Sequence, residues 1–197
     1  GDEIYTFVDD TYTNKSNNHA SPHDYLNNFK YSIENCEKCN LSLTRNKFVF
    51  GSGDPNADLF LVGEGPGKEE DSQGEPFVGQ AGRLLDKILK AIGYVRDDNV
   101  FISNIVKCRP PENRNPLQSE VEKCAPHLIN QINLIKPKLI VALGKVAGQT
   151  LLKKNMLIRE MRKKTHYYDD IPLIVTYHPA ALLRNPSLKI DVWEDFQ

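Results

Sequence analysis

The chain has 197 residues, of which 40% are hydrophobic and 26% charged, enough for one compact domain with a sizeable core. Its formal net charge of -1 does not announce a nucleic-acid binder, but the balance is uninformative, because a local basic face suffices to meet phosphates. No apolar run approaches the ~20 residues that cross a bilayer, and the first residues lack the basic-then-apolar layout of an export signal, so a soluble intracellular protein is expected.

Residues 1–20 are rich in Asp, Asn, Ser and Thr without a sustained period and read as a flexible arm, leaving 21–197 as a single domain. In "SPHDYLNNFKYSIENC", Ser21 is placed to cap a helix with Pro22 at its first position, and Tyr25, Phe29 and Ile33 recur at four-residue spacing. That helix leads into Cys36. "DLFLVGEGPG" reads as a strand, a long loop follows, and "GQAGRLLDKILKAIG" puts Leu84, Leu85, Ile88, Leu89 and Ile92 on one helical stripe before Gly93. The alternation continues with strand "NVFISNIVK", helix "SEVEKCAPHLINQINLI", strand "KLIVALG", helix "KVAGQTLLKK" and strand "IPLIVTY". Strands that alternate with helices specify an α/β fold with a mainly parallel sheet. "LLKKNMLIREMRKKTHYY" is a locally basic segment carrying Lys153, Lys154, Arg159, Arg162, Lys163 and Lys164.

The four cysteines are spaced Cys36-x2-Cys39, then a gap of 68 residues, then Cys108-x15-Cys124. A close pair lets two thiolates of one turn face one centre, and an α/β core can bring distant cysteines to it. Structural zinc, an iron-sulfur cluster and unliganded thiols all fit this spacing; zinc more often pairs one CxxC with a second, which is missing here.

In open parallel sheets, ligands bind beyond the carboxyl ends of the strands. Those ends carry Gly63 and Glu64, Asn104, and His178 followed by Pro179 and Ala180. Each has a bland role available, as a loop charge, a backbone partner or a helix cap; together a carboxylate, an amide and an imidazole suggest a site. The loop "GEGPGKEEDSQGEPFVG" permits close backbone approach, yet it has neither the P-loop lysine nor the GxGxxG spacing of a dinucleotide fold. Phe77 in that loop offers a face on which a planar base can stack, and an Asn amide both donates and accepts, as an imide edge requires.

The segments "GEGPGKEEDSQGEPFVGQAGRLL", "SNIVKCRPPENR" and "VTYHPAALLR", with the cysteines before and between them, resemble the family 4 uracil-DNA glycosylases from about Cys36 to the end of the chain. The resemblance implies a three-layer α/β/α fold around a short parallel sheet, a 4Fe-4S cluster on Cys36, Cys39, Cys108 and Cys124, and excision of uracil from single- or double-stranded DNA. It implies Glu64, Gly65 and His178 as catalytic, with Gly65 and His178 facing the O2 side of uracil, Phe77 stacking on the base and Asn104 reading its edge. Glu70 and Asn113 match further positions near the site, as does Asp71. A monomer in a prokaryotic cytoplasm is also implied.

A glycosylase must extrude its target nucleotide, at a cost of a few kcal/mol that stacking on Phe77 and pairing with Asn104 would offset. An Asn104 amide that donates to O4 and accepts from N3-H would mismatch cytosine, whereas thymine needs a steric block, for which Glu70 is a candidate. Glu64 or Asp71 is a candidate to activate water. Leu182, Leu183 or Arg184 can fill the gap left by the flipped base. Two other readings are a noncatalytic DNA-binding iron-sulfur module of the same fold and a glycosylase for another deaminated base.

Overall fold

A computed structural model describes residues 21–197; the arm expected over 1–20 lies outside the described residues. Helix α1 (Pro22–Ile33) begins as the sequence dictates. The Ser21 hydroxyl accepts the Asp24 N–H at 3.2 Å, and the Asp24 carboxylate accepts the Ser21 N–H at 2.9 Å, a reciprocal cap. Its inward stripe differs from the expected one. Leu26 is buried and Tyr25 is 52% exposed, so the face that packs is Leu26, Phe29 and Ile33. Steps of three and four average to the 3.6-residue turn, whereas two steps of four drift around the helix.

The sheet holds β1 (Ser52–Gly53), β2 (Leu59–Gly63), β3 (Val100–Asn104), β4 (Leu139–Leu143), β5 (His166–Tyr168) and β6 (Ile171–Thr176), in the order β1-β3-β2-β4-β6-β5. The four central strands are parallel; β1 and β5 are short antiparallel edges that apolar patterning did not reveal. Strands β2 and β3 are buried throughout, as a sheet covered on both faces requires. Phe60, Val62, Phe101, Ile140 and Ala142 face one core with residues of α1 and of α4 (Gln118–Ile135). Leu59, Leu61, Val100, Ile102 and Val141 face another with Leu85 and Leu89 of α3 (Gln80–Ala91). The two-residue side-chain period of the strands thus yields three layers.

The stretch between β2 and α3, expected as an uninterrupted loop, contains α2 (Lys68–Gln73). The remaining helices are α5 (Lys145–Leu152), α6 (Ile158–Met161), α7 (Pro179–Arg184) and α8 (Leu188–Asp195).

The locally basic segment does not form a uniform surface. Arg162 is 5% exposed, donates from Nε and Nη2 to the Asp195 carboxylate at 2.7 and 3.1 Å, and lies 4.6 Å over the Tyr177 ring. Asp195 also accepts from the Thr176 hydroxyl at 2.6 Å, so this pair ties the end of β6 to α8. Arg162→Ala leaves Asp195 buried without its counter-charge and is expected to cost about 3–5 kcal/mol of stability, measured by denaturant unfolding against the wild type.

Candidate active site

Strand β2 lies between β3 and β4, so the chain leaves it first to one side and then to the other. The crevice at such a reversal, beyond the carboxyl ends, is where an open sheet receives a ligand. Three residues implicated by the sequence meet there. At Gly63, the last residue of β2, a side chain would run into Asn104 Oδ1 and come within 2.7 Å of the Phe77 ring. Its missing Cβ lets the amide and the ring approach one another.

Asn104 ends β3 and is 2% exposed, and its Oδ1 is buried with no hydrogen-bond partner among the described residues. Leaving such an acceptor unpaired costs about 1–3 kcal/mol. Its main-chain carbonyl is held by Lys107, whose Nζ donates to it at 2.9 Å, to Gln131 Oε1 at 2.6 Å and to the Ser103 hydroxyl. Burial pushes the Lys107 pKa down to about 7, against the pull of Cys124 and Cys108.

Phe77 is 6% exposed and its backbone is left-handed, with φ of 54°. Its ring stacks against His178 at 5.4 Å between centroids and 30° between planes. Two stacking intervals need roughly 7 Å at ordinary carbon contact, so no base fits between these two rings.

His178 caps α7, and its Nδ1 accepts the Ala180 N–H at 3.1 Å. A neutral ring that accepts at Nδ1 carries its proton on Nε2, which assigns the tautomer. Burial pushes its pKa down to about 4; Arg184 acts in the same direction and Glu70 opposes. The imidazole is therefore neutral at pH 7 and offers one N–H. Gly144, at the end of β4, has φ of +99° and ψ of 174°, and a side chain there would stand 3.0 Å from the His178 Cβ. Only glycine takes that backbone without strain, so the β4–α5 corner can press against His178.

Glu64 is half-buried beside Gly63, and burial raises its carboxyl pKa. The strand pairing runs on past β2: Gly63 and Glu64 carbonyls accept from Ile105 and Val106 at 2.9 and 3.1 Å. At Gly65 a side chain would approach the Val106 methyl at 2.8 Å. The Glu70 carboxylate accepts the backbone N–H groups of Gly67, Val78 and Gly79. Asp71 is 1% exposed and accepts from the Asn46 N–H and amide at 2.9 and 2.6 Å. Asn113 lies in the proline loop, where its Oδ1 accepts from Arg109 Nε at 2.8 Å; the described contacts join it to that loop and not to Phe77 or His178. On α7, Leu182 is 1% exposed and belongs to the interior, whereas Leu183 is 46% exposed and Arg184 is exposed beside it.

All four cysteines are free thiols; Cys108 and Cys124 are buried, Cys36 and Cys39 half-buried. Burial pushes the Cys108 pKa up to about 11 and also raises that of Cys124. Charges on Cys124 and Cys39 add to the first shift, and on Cys39 and Cys36 to the second, so the four sulfurs share one neighbourhood. Arg45 Nη1 donates to Cys108 Sγ at 3.2 Å, the Lys107 N–H to Cys124 Sγ at 3.4 Å, and His127 Nε2 lies 3.3 Å from Cys36 Sγ. Among the described residues, no three His, Cys, Asp or Glu side chains close on a point as one bound metal ion would require.

A family model for the uracil DNA glycosylase superfamily matches residues 50–197. The chain belongs to this superfamily. It is 43% identical over 182 residues to the type-4 uracil-DNA glycosylase of Sulfurisphaera tokodaii, covering 88% of this chain and 83% of that one. Over 180 residues it is 41% identical to the type-4 uracil-DNA glycosylase of Archaeoglobus fulgidus, covering 87% and 90% of the two chains. The type-4 uracil-DNA glycosylase of Pyrobaculum aerophilum is 43% identical over 173 residues, covering 83% and 87%.

In this superfamily member, Lys107 and Gly144 contact Asn104 and His178 without having been found from the sequence. Lys107 had a visible signal, a lysine closing an apolar run beside Cys108. Gly144 had none, because His178, which it lies against, is far along the chain. Among the described residues no helix is long and apolar enough to cross a membrane.

Proposed function

We infer that the chain is a monofunctional uracil-DNA glycosylase, a hydrolase that cleaves the N-glycosidic bond of uracil in DNA and begins base excision repair. The observation that carries this reading is the buried, unpaired Asn104 Oδ1 beside Phe77. It can accept N3-H of uracil while the amide nitrogen donates to O4, and cytosine offers neither group.

The flipped base stacks on the Phe77 face that His178 leaves uncovered, with its O2 edge toward the His178 Nε2–H. As the C1′–N1 bond breaks, its electron pair leaves with uracil and the sugar becomes cationic. Negative charge collects at O2, where the neutral His178 Nε2–H donates; one such prepositioned donor is worth roughly 3–4 kcal/mol in the transition state. Water then bonds to C1′. Of the two candidates, Glu64 is the carboxylate available to take its proton, since Asp71 is bound to Asn46. Raising the carboxyl pKa makes Glu64 a better proton acceptor. Leu183, projecting from α7 next to His178, fills the gap left in the duplex, and Arg184 meets the backbone. Arg109 sets the proline loop through Asn113 at the margin of the DNA-facing surface.

The chemistry of the donor set fits a 4Fe-4S cluster: four thiols from three segments, two of them buried, with N–H groups directed at their sulfurs. Cys36, Cys39, Cys108 and Cys124 would hold it. Such a group would staple the proline loop to α4, and hydrolysis draws no electrons from it. Cys108→Ser is expected to lose both the visible charge-transfer absorption and a large part of the thermal stability, read by spectroscopy and by melting with no substrate present.

The deciding experiment is release of labelled uracil from single-stranded and duplex DNA by anaerobically purified protein. Release by the wild type and its loss in Asn104→Ala and His178→Ala support the reading; no release by protein of intact fold and absorption overturns it and favours a binding module.

A further inference from the structure

Phe77 is held from both flanks by opposite charges. Its left-handed φ of 54° is unusual for a bulky aromatic residue and persists only where neighbours impose it. On the following side, the Glu70 carboxylate accepts the Val78 and Gly79 N–H groups, each at 2.9 Å. Arg96 reaches over from beyond α3 to the peptide groups on both sides of Phe77. Its Nη1 donates to the Pro76 carbonyl at 2.6 Å and its Nη2 to the Phe77 carbonyl at 2.8 Å. Asp86 accepts from Arg96 Nε and Nη2 at 3.1 and 2.8 Å, which orients the guanidinium. Gly82 completes the support, because any side chain there would run into the Phe77 carbonyl.

We propose that Arg96 is a positioning residue for base stacking: with Glu70 holding Val78 and Gly79, it locks the Phe77 backbone so that the ring is set before the nucleotide arrives. The inference rests on the glycosylase reading above. Arg96 suits the task because its planar fork serves two carbonyls and a carboxylate at once, which a lysine ammonium on a flexible stem does not reproduce. Its contacts are to the Phe77 loop and Asp86, so its influence on the reaction runs through the ring. Without it the loop can relax, and the cost of ordering the ring falls on each binding event.

The test is a double-mutant cycle in kcat/KM for uracil release, using the wild type, Arg96→Ala, Phe77→Ala and the double variant. Arg96→Ala is expected to lose about 10- to 100-fold, the scale of a small misplacement at a site, and to lose less than about 3-fold further in the Phe77→Ala background. Arg96→Lys is expected to fall between, and Asp86→Asn, which frees the guanidinium, provides the same cycle if Arg96→Ala does not fold. Should Phe77→Ala turn over too slowly, the cycle is read in base flipping, by fluorescence of 2-aminopurine placed beside the uracil. Equal losses in both backgrounds, or an unchanged Arg96→Ala enzyme, overturn the proposal. No release by the wild type overturns the underlying reading instead.

Discussion

Asn104→Ala is expected to lower kcat/KM for uracil release by about 10²- to 10³-fold, the range seen when one well-placed hydrogen-bonding group is removed from a site, while leaving the fold nearly as stable as before. Most buried polar residues lose both properties together. Asn104 differs because its Oδ1 is already unpaired in the free protein. Removing it relieves a desolvation cost of about 1–3 kcal/mol, which offsets the small cavity created. Uracil release and denaturant unfolding, measured on the same preparation, separate the two effects. A large loss of stability would mean that the amide serves the fold, and the reading of its oxygen as an acceptor kept for substrate would fail. Discrimination should fall along with the rate, since the mismatch that rejects cytosine is located in the same amide.

The second large effect concerns His178. His178→Ala is expected to cost about 10²- to 10³-fold in kcat, and the wild-type pH profile should show no acid limb from this group until the pH approaches 4. An ordinary histidine, titrating near 6.5, would place that limb at mild acidity; burial first, and Arg184 second, depress it here. Below about pH 4 a proton enters at Nδ1, the Ala180 N–H loses its acceptor and α7 loses its cap. The sign for stability follows from the same shift. Above pH 6.5 both folded and unfolded chains hold this ring neutral, so it exerts no pH-dependent effect. Between 6.5 and about 4 the unfolded chain binds a proton that the folded one refuses, and stability declines as pH falls. Arg184→Gln should move the acid limb upward, because it removes the cation that disfavours the imidazolium. A limb that remains in place in that variant would assign the shift to burial alone.

These two residues illustrate what one-dimensional information can reach. The placement of Asn104 and His178 at one edge was legible because the first ends an apolar strand and the second lies just past one, and the ends of parallel strands share one edge of a sheet by construction. Phe77 was legible as an aromatic beside a glycine-rich loop, although its left-handed backbone was not. Glu70 shows the opposite case. Three backbone N–H groups hold its carboxylate, and nothing in the loop's composition tells a free carboxylate from an occupied one. Asp71 was equally ambiguous, because its partner Asn46 lies 25 residues earlier.

Arg162 and the leucine pair make the same point for the surface. Within a run of lysines and arginines, Arg162 reads as one more solvated cation; it is buried because Asp195, 33 residues later, turns back to meet it. Leu182 and Leu183 are chemically alike and adjacent. One turns inward and the other outward because successive helical side chains point about 100° apart and α7 packs on one side only.

By itself, then, the sequence determined the alternation of strands and helices, the cap at Ser21, the buried character of the central strands and the residues standing at their ends. These features depend on local periodicity and backbone chemistry, which neighbours within a few residues settle. Tertiary structure alone decided which carboxylates are free, which cation is buried, how Arg96 and Glu70 grip Phe77, and that Gly144 admits His178 to the site. Each of those depends on contacts outside the residue's own strand or helical turn, 8 residues apart for Glu70 and Val78 and 33 for Arg162 and Asp195, and the energy of a charge or an unpaired amide depends on what folding brings beside it.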